Sequence, residues 1–364
     1  MNNINARKRT ESDADISRKK LSEANKINNS KPTKNKRRKK YQGVVGWVVI
    51  SIFILLMGAV IAFFVFRLKG ESNLKAEEQF ITYEGKKYEY RKEIVNILCL
   101  GIDKSVPIAH IEAKRGNIGM ADTIMLVSID TKKHKVKVLA IPRDVMAEVQ
   151  QTIEGNVVSE AKLQICMQYA YGMSMQQSND LTVDAVSKLL YNTQIQRCCA
   201  INFEALPILN DAIGGVDVEV LEDIEEWVPE LVYGETIHLE GDLAMRFVQT
   251  RNRNIVEGAA LRTQRQKQYA VAFVQKAKSV IKTDPALPLT IFRELQKDGN
   301  MCTDLTAEDI TYLMPEILRI SFSDDMIQML PGESVVGEDG HTEYRMDVDL
   351  VKQIVIDTFY KEVQ

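Results

Sequence analysis

The 364-residue chain is poor in metal-ligating side chains, with five cysteines and four histidines. Cys99, Cys166, Cys198, Cys199 and Cys302 show no C-x-x-C spacing, and the histidines form no H-x-x-x-H pair. That argues against a zinc site. The odd cysteine count argues against a disulfide framework, and the five read as small buried hydrophobes. No internal repeat is present. Hydrophobic content of 45% and charged content of 27% exclude a mostly disordered chain and a coiled-coil rod. The body of the chain also lacks a basic surplus. Residues 41–364 hold 33 Lys/Arg against 46 Asp/Glu, which excludes a bulk basic surface for nucleic acid.

Basic charge is concentrated in residues 1–40, which carry 14 Lys/Arg against 4 Asp/Glu. This segment is too polar to fold by burial. Directly after it, Val44–Phe66 runs 23 residues without a charge, enough for a helix across a bilayer. A cleaved leader has an apolar run of roughly 7–15 residues, so this stretch reads as an uncleaved signal-anchor. The flanking charge places residues 1–43 in the cytoplasm and the main domain outside the cell membrane, in a single-pass arrangement. Four segments are expected: a basic tail (1–43), a transmembrane helix (44–66), an extracytoplasmic stalk (67–92) and a folded domain (93–364).

Within that domain apolar strand patterns alternate with helical ones. Ile94–Leu100 and Thr123–Ile129 read as strands, and Val136–Ile141 pairs with the second across the polar turn Asp130–His134. Helical periodicity marks Leu181–Tyr191, Phe203–Ile213, Arg262–Lys282, Ala307–Arg319 and Val348–Tyr360. The expected fold class is α/β: an α-β-α sandwich with a central mixed sheet, after one N-terminal transmembrane helix.

Asp103 and Asp122 sit just beyond strand ends. Either they are turn or cap residues, or they form a carboxylate pair holding Mg²⁺ together with substrate phosphates. Arg143 ends the third strand, where its fork suits phosphate oxygens or a surface ion pair. On the long helix Arg262, Arg265 and Gln266 are spaced i, i+3 and i+4 and share a face that continues into Tyr269 and Phe273. A cationic first turn leading into an apolar stripe suits a phosphate head on a lipid tail. The acidic run Glu222–Glu230 reads as a solvated edge.

Taken together, NILCLGID (Asn96–Asp103), ADTIMLVSID (Ala121–Asp130), VLAIPRD (Val138–Asp144), DAIGGVDVEV (Asp211–Val220) and LRTQRQ (Leu261–Gln266) resemble the LytR-CpsA-Psr family in order and spacing. TDLTAEDI (Thr303–Ile310) is similar to that family's C-terminal segment. The resemblance implies a sandwich that holds a polyprenyl pyrophosphate in a hydrophobic tunnel. It also implies an Mg²⁺-dependent phosphotransferase attaching teichoic acid or capsule-like glycopolymers to peptidoglycan. By motif, Asp103 and Asp122 are the implied catalytic and Mg²⁺-binding pair. Arg143, Arg251, Arg262 and Gln266 are implied pyrophosphate contacts, with Arg265 beside them. The implied partners are the lipid-linked glycopolymer, peptidoglycan and the membrane, with no nucleic acid. The chain departs from the family pattern at Lys104–Ser105, Met120, Gln249 and Ala259, where the family carries charged residues. Arg115, Arg246 and Arg253 are candidates to compensate. The departures leave a second reading: a non-catalytic module that binds polyprenyl-linked glycans as a scaffold or regulator.

Overall fold

A computed structural model describes residues 57–59, 61–104, 118–252, 258–338 and 340–363, without the side chains of 258–260, 263 and 324. The chain divides into two compact units, Met1–Phe64 and Val65–Gln364. In the first unit the described residues are helical. Among the described residues no helix is long and apolar enough to cross a membrane. The tail 1–43 and most of the expected span 44–66 lie outside the described residues.

The second unit is built on a mixed sheet. β1 (Phe80–Tyr83) and β2 (Lys86–Tyr90) precede β3 (Ile94–Ile102), β4 (Ala121–Asp130) and β5 (Lys135–Ile141). β6 (Met146–Ile153) and β7 (Asn156–Gln164) form a long hairpin, followed by a 3₁₀ segment, Ile165–Tyr171, and α1 (Met175–Leu189). Then come β8 (Arg197–Asn202), α2 (Ala205–Ala212), β9 (Val216–Glu219), β10 (Thr236–Leu239), α3 (Asp242–Gln249) and α4 (Gly258–Thr283). The chain continues through α5 (Leu287–Lys297), β11 (Met301–Thr303), α6 (Ala307–Arg319), β12 (Ile327–Met329), β13 (Gly332–Val336), β14 (Thr342–Met346), α7 (Val348–Phe359) and β15 (Tyr360–Val363).

The central sheet has the order β11-β8-β3-β4-β5-β12. β3–β4, β4–β5 and β8–β11 are antiparallel, whereas β3–β8 and β5–β12 are parallel. Side chains alternate across a strand, so β3 serves two cores. Leu98 and Leu100 pack with Leu126, with Val186 of α1 and with Val351, Val355 and Phe359 of α7. Val95 and Ile97 on the other face meet Ile129, Leu313 of α6, Ile320 and Leu74. A third cluster joins β9, β10, α3 and α4 through Val216, Val218, Leu239, Phe247 and Tyr269.

Two expectations are revised. The segment 67–92 is not a free stalk. Its helical start lies on α6 through Arg67–Glu316 at 3.3 Å and Lys69–Glu308 at 2.8 Å. Gly70 permits the contact, because a Cβ there would stand 2.3 Å from the Glu308 carbonyl oxygen. Leu74 is fully buried, and β1 and β2 share a three-stranded sheet with the C-terminal β15. The second revision concerns the apolar stripe of α4. Tyr269 is buried in the cluster that includes β9 and β10 residues, and Phe273, Ala277 and Val280 pack against it while keeping part of their surface exposed, so part of the stripe is used in the fold.

Candidate functional site

The ends of β3, β4 and β5 lie side by side, and each delivers one charged residue. β3 and β4 pair residue by residue until Gly101↔Thr123, then shift register so that Ile102 faces Ala121. Asp122 is the extra residue of this bulge, and bulges re-aim side chains at sheet rims. Gly101 fits because its missing Cβ would stand 3.0 Å from that of Thr123. On the other side Ile124 pairs with Ile141, which brings Arg143 level with Asp122. The two side chains form a direct ion pair, each about one-third exposed, at 35% for Asp122 and 36% for Arg143. Arg143 also lies 3.5 Å from Asp144.

Asp103 is cradled by the backbone. Its Oδ1 accepts the Met120 N–H at 2.6 Å, and its own N–H donates to the Met120 carbonyl at 3.1 Å. Gly119, at φ +97°, makes room: a Cβ there would stand 2.7 Å from Asp103 Oδ1. Gly119→Ala is therefore expected to lower stability by about 1–3 kcal/mol through backbone strain and displacement of that carboxylate. Denaturant titration reads this directly, and an unchanged midpoint would show that the cradle yields freely.

The electrostatics link these groups. Burial pushes the Asp122 carboxyl up; Arg143 pulls it back, the nearby Asp103 charge raises it again, and Arg262 lowers it. Burial disfavours the charge on Arg262, and the neighbouring Arg251 adds to this, while Asp122 counters it. The Arg262 Nε is buried without a hydrogen-bond partner among the described residues. A buried guanidinium N–H in that state is a site waiting for an acceptor. Three cations, Arg143, Arg251 and Arg262, thus share a field with two carboxylates. The donor set also fits a hard divalent ion, which takes one or two carboxylates and leaves the rest of its shell to water and phosphate oxygens. Groups of three or more acidic, His or Cys ligands are absent among the described residues.

Arg265 stands apart from this cluster. It is 3% exposed. Its Nε donates to the Phe247 carbonyl at 2.6 Å, and its two terminal nitrogens to the Thr250 carbonyl and the Glu222 carboxylate. Gln266 donates to the Val248 carbonyl at 3.1 Å. Both therefore satisfy orphan carbonyls at the C-terminal end of α3, and Arg265 holds the chain just before Arg251. Glu222 is a buried partner rather than part of a solvated edge.

Of the compensating candidates, Arg246 is paired with Glu230 through two bonds, of 3.0 and 2.8 Å. Arg115 and Arg253 lie outside the described residues. At the departures, Met120 contributes its backbone to Asp103 and Gln249 ends α3. The Ala259 side chain is outside the described residues. Cys166, which the sequence marks only as a small buried hydrophobe, is buried beside Arg143. Its N–H donates to the Arg143 carbonyl at 3.2 Å, and burial pushes its thiol up to about 11.

Comparison with known proteins agrees with the motifs. Two curated relatives are polyisoprenyl-teichoic acid–peptidoglycan teichoic acid transferases named TagU. The Bacillus mycoides protein is 27% identical over 265 residues, covering 72% of this chain and 77% of the relative. The Bacillus cereus protein is 29% identical over 187 residues, covering 51% and 53%. The chain thus spans about half the length of the latter. The crystal structure of Bacillus subtilis TagV superposes with a TM-score of 0.54 at 21% identity, over 74% of this chain and 98% of that one, which establishes the shared fold. The LytR_cpsA_psr family model matches residues 64–357, and the chain belongs to that family.

Proposed function

We propose that this chain is a membrane-anchored transferase moving a glycopolymer from a polyprenyl pyrophosphate carrier to peptidoglycan outside the cell. The observation that carries this is the buried Nε of Arg262, which has no partner among the described residues and is electrostatically coupled to the Asp122–Arg143 pair. An anion with several oxygens satisfies that N–H and draws on the three cations together. The curated relatives named for teichoic acid transfer to peptidoglycan support the substrate class. The charge-free run Val44–Phe66 and the basic cluster before it support the anchor and its orientation.

In this reading Arg143, Arg251 and Arg262 bind the pyrophosphate and stabilise charge developing on the transferred phosphorus. Asp103 and Asp122 would hold Mg²⁺, which when bound neutralises phosphate oxygens. An acceptor hydroxyl attacks the phosphorus that carries the polymer. The new O–P bond forms as the bond to the polyprenyl phosphate breaks, and the hydroxyl proton passes to Asp122. Burial favours that transfer by raising the carboxyl's proton affinity. Arg265 and Gln266 do not touch the substrate in this scheme; they fix the end of α3, from which Arg251 follows.

Full-length protein in detergent, a polyprenyl-pyrophosphate-linked glycan and a peptidoglycan fragment test the reading. Mg²⁺-dependent release of polyprenyl phosphate is expected, and Arg262→Ala should weaken donor binding by about tenfold or more, the value of a lost charged hydrogen bond. Donor binding without Mg²⁺-dependent release would favour the non-catalytic module, a reading that the missing cations at Met120 and Gln249 support. Equal donor affinity in Arg262→Ala would remove the central observation from the mechanism.

A further inference from the structure

Beside the candidate site lies a cleft of about 840 Å³ that none of the residues discussed above occupies. Its walls are the β6–β7 and β13–β14 hairpins. Both are tied to the strand end that carries Arg143. The Tyr344 N–H donates to the Asp144 carbonyl at 2.8 Å, and Val145 bridges to Tyr344. Gln164 Nε2 donates to the Thr342 carbonyl at 2.7 Å and joins the two hairpins. Met146 and Met167, both in the lining, lie close in sequence to Arg143 and to its backbone partner Cys166. The cleft is therefore anchored to the strand end that carries Arg143 and Asp144.

Its lining is informative about that substrate. Lys162, Glu338 and His341 line it with Glu343 and Arg345, which lie 3.5 Å apart as an ion pair, and Met146 and Met167 add apolar surface. Four charges disfavour a hydrocarbon tail, which would strip them of water. Two carboxylates offset the two cations, so a polyphosphate chain gains no net attraction there. A short peptide carrying both free carboxylates and an amine complements the alternating signs, and methionines adapt to an irregular apolar surface. The volume suits such a ligand.

We propose that this cleft holds the acceptor by its peptide portion, presenting the attached sugar hydroxyl to the site. The inference rests on the transferase reading, because it supplies the second substrate of that reaction. The probe is a soluble disaccharide–tetrapeptide fragment of peptidoglycan, titrated calorimetrically into the full-length protein. Lys162→Glu combined with Arg345→Glu should weaken fragment binding at least tenfold and leave donor affinity unchanged, with cooperative unfolding retained. Lys162→Arg with Arg345→Lys should retain wild-type binding, and the disaccharide without peptide should bind at least tenfold more weakly to the wild type. Unchanged fragment affinity in the charge-reversal variant, or no binding of the fragment to the wild type, would overturn the proposal. Fragment binding that is lost on charge reversal, in a protein releasing no polyprenyl phosphate, would uphold the cleft and reject the transferase reading.

Discussion

Asp122→Asn is expected to slow glycopolymer transfer by about 10²–10⁴-fold, the usual contribution of a positioned general base, while the domain stays at least as stable as the parent at neutral pH. The second half follows from burial. Burial raises the Asp122 carboxyl, against the pull of Arg143. A carboxyl whose folded pKa lies above its unfolded value binds its proton better in the folded chain. Its stabilising contribution is present below the unfolded pKa and is lost as pH rises through the folded one. At neutral pH the carboxylate therefore burdens the fold, and asparagine removes that burden. Arg143 still has Asp144 at 3.5 Å. The measurement pairs polyprenyl phosphate release with thermal unfolding at neutral and acidic pH. Retained turnover would remove Asp122 as the base, and a large loss of stability at neutral pH would contradict the stated effect of burial.

Arg265→Ala is expected to cost about 3–5 kcal/mol of stability, because it leaves the Glu222 carboxylate buried without its cation. Glu222 Oε1 has no hydrogen-bond partner among the described residues, and Arg265 is the cation that pulls its carboxyl down against burial. The Phe247 and Thr250 carbonyls lose their donor as well. The Arg265→Ala/Glu222→Ala double variant should recover part of the loss, giving a coupling in the range of interacting neighbours, about 0.5–3 kcal/mol. Denaturant unfolding of both single variants and the double variant reads this out. If Arg265 instead contacted pyrophosphate, Arg265→Ala would lose donor affinity and keep its unfolding midpoint.

The strands that carry Asp103, Asp122 and Arg143 and the long helix that carries Arg262 are legible in the sequence, since each is written in local spacing. The hairpin of Thr123–Ile129 with Val136–Ile141 appears as β4–β5, and Ala307–Arg319 is α6 with a Thr306/Asp309 capping box at its start. Other elements are not legible: β6, β7, β10, β11 and α3, and with them five short strands. β1, β2, β13, β14 and β15 are short and half polar, and they become strands only by pairing, in the case of β2 with β15 across most of the domain.

The charged residues divide along the same line. That Asp103, Asp122 and Arg143 stand at strand ends follows from the sequence, because apolar runs and the residues that stop them are consecutive. Their convergence needed the antiparallel register of β3, β4 and β5 and the bulge that isolates Asp122. Spacing on α4 made Arg262, Arg265 and Gln266 equivalent neighbours on one face. Only tertiary structure separated them, because the partners that claim Arg265 lie 15, 18 and 43 residues away in the chain. Helical periodicity records which side chains share a face. What that face meets is set by the elements folded against it: Phe247, Thr250 and Glu222 hold Arg265 inside, while the Arg262 Nε has no partner among the described residues.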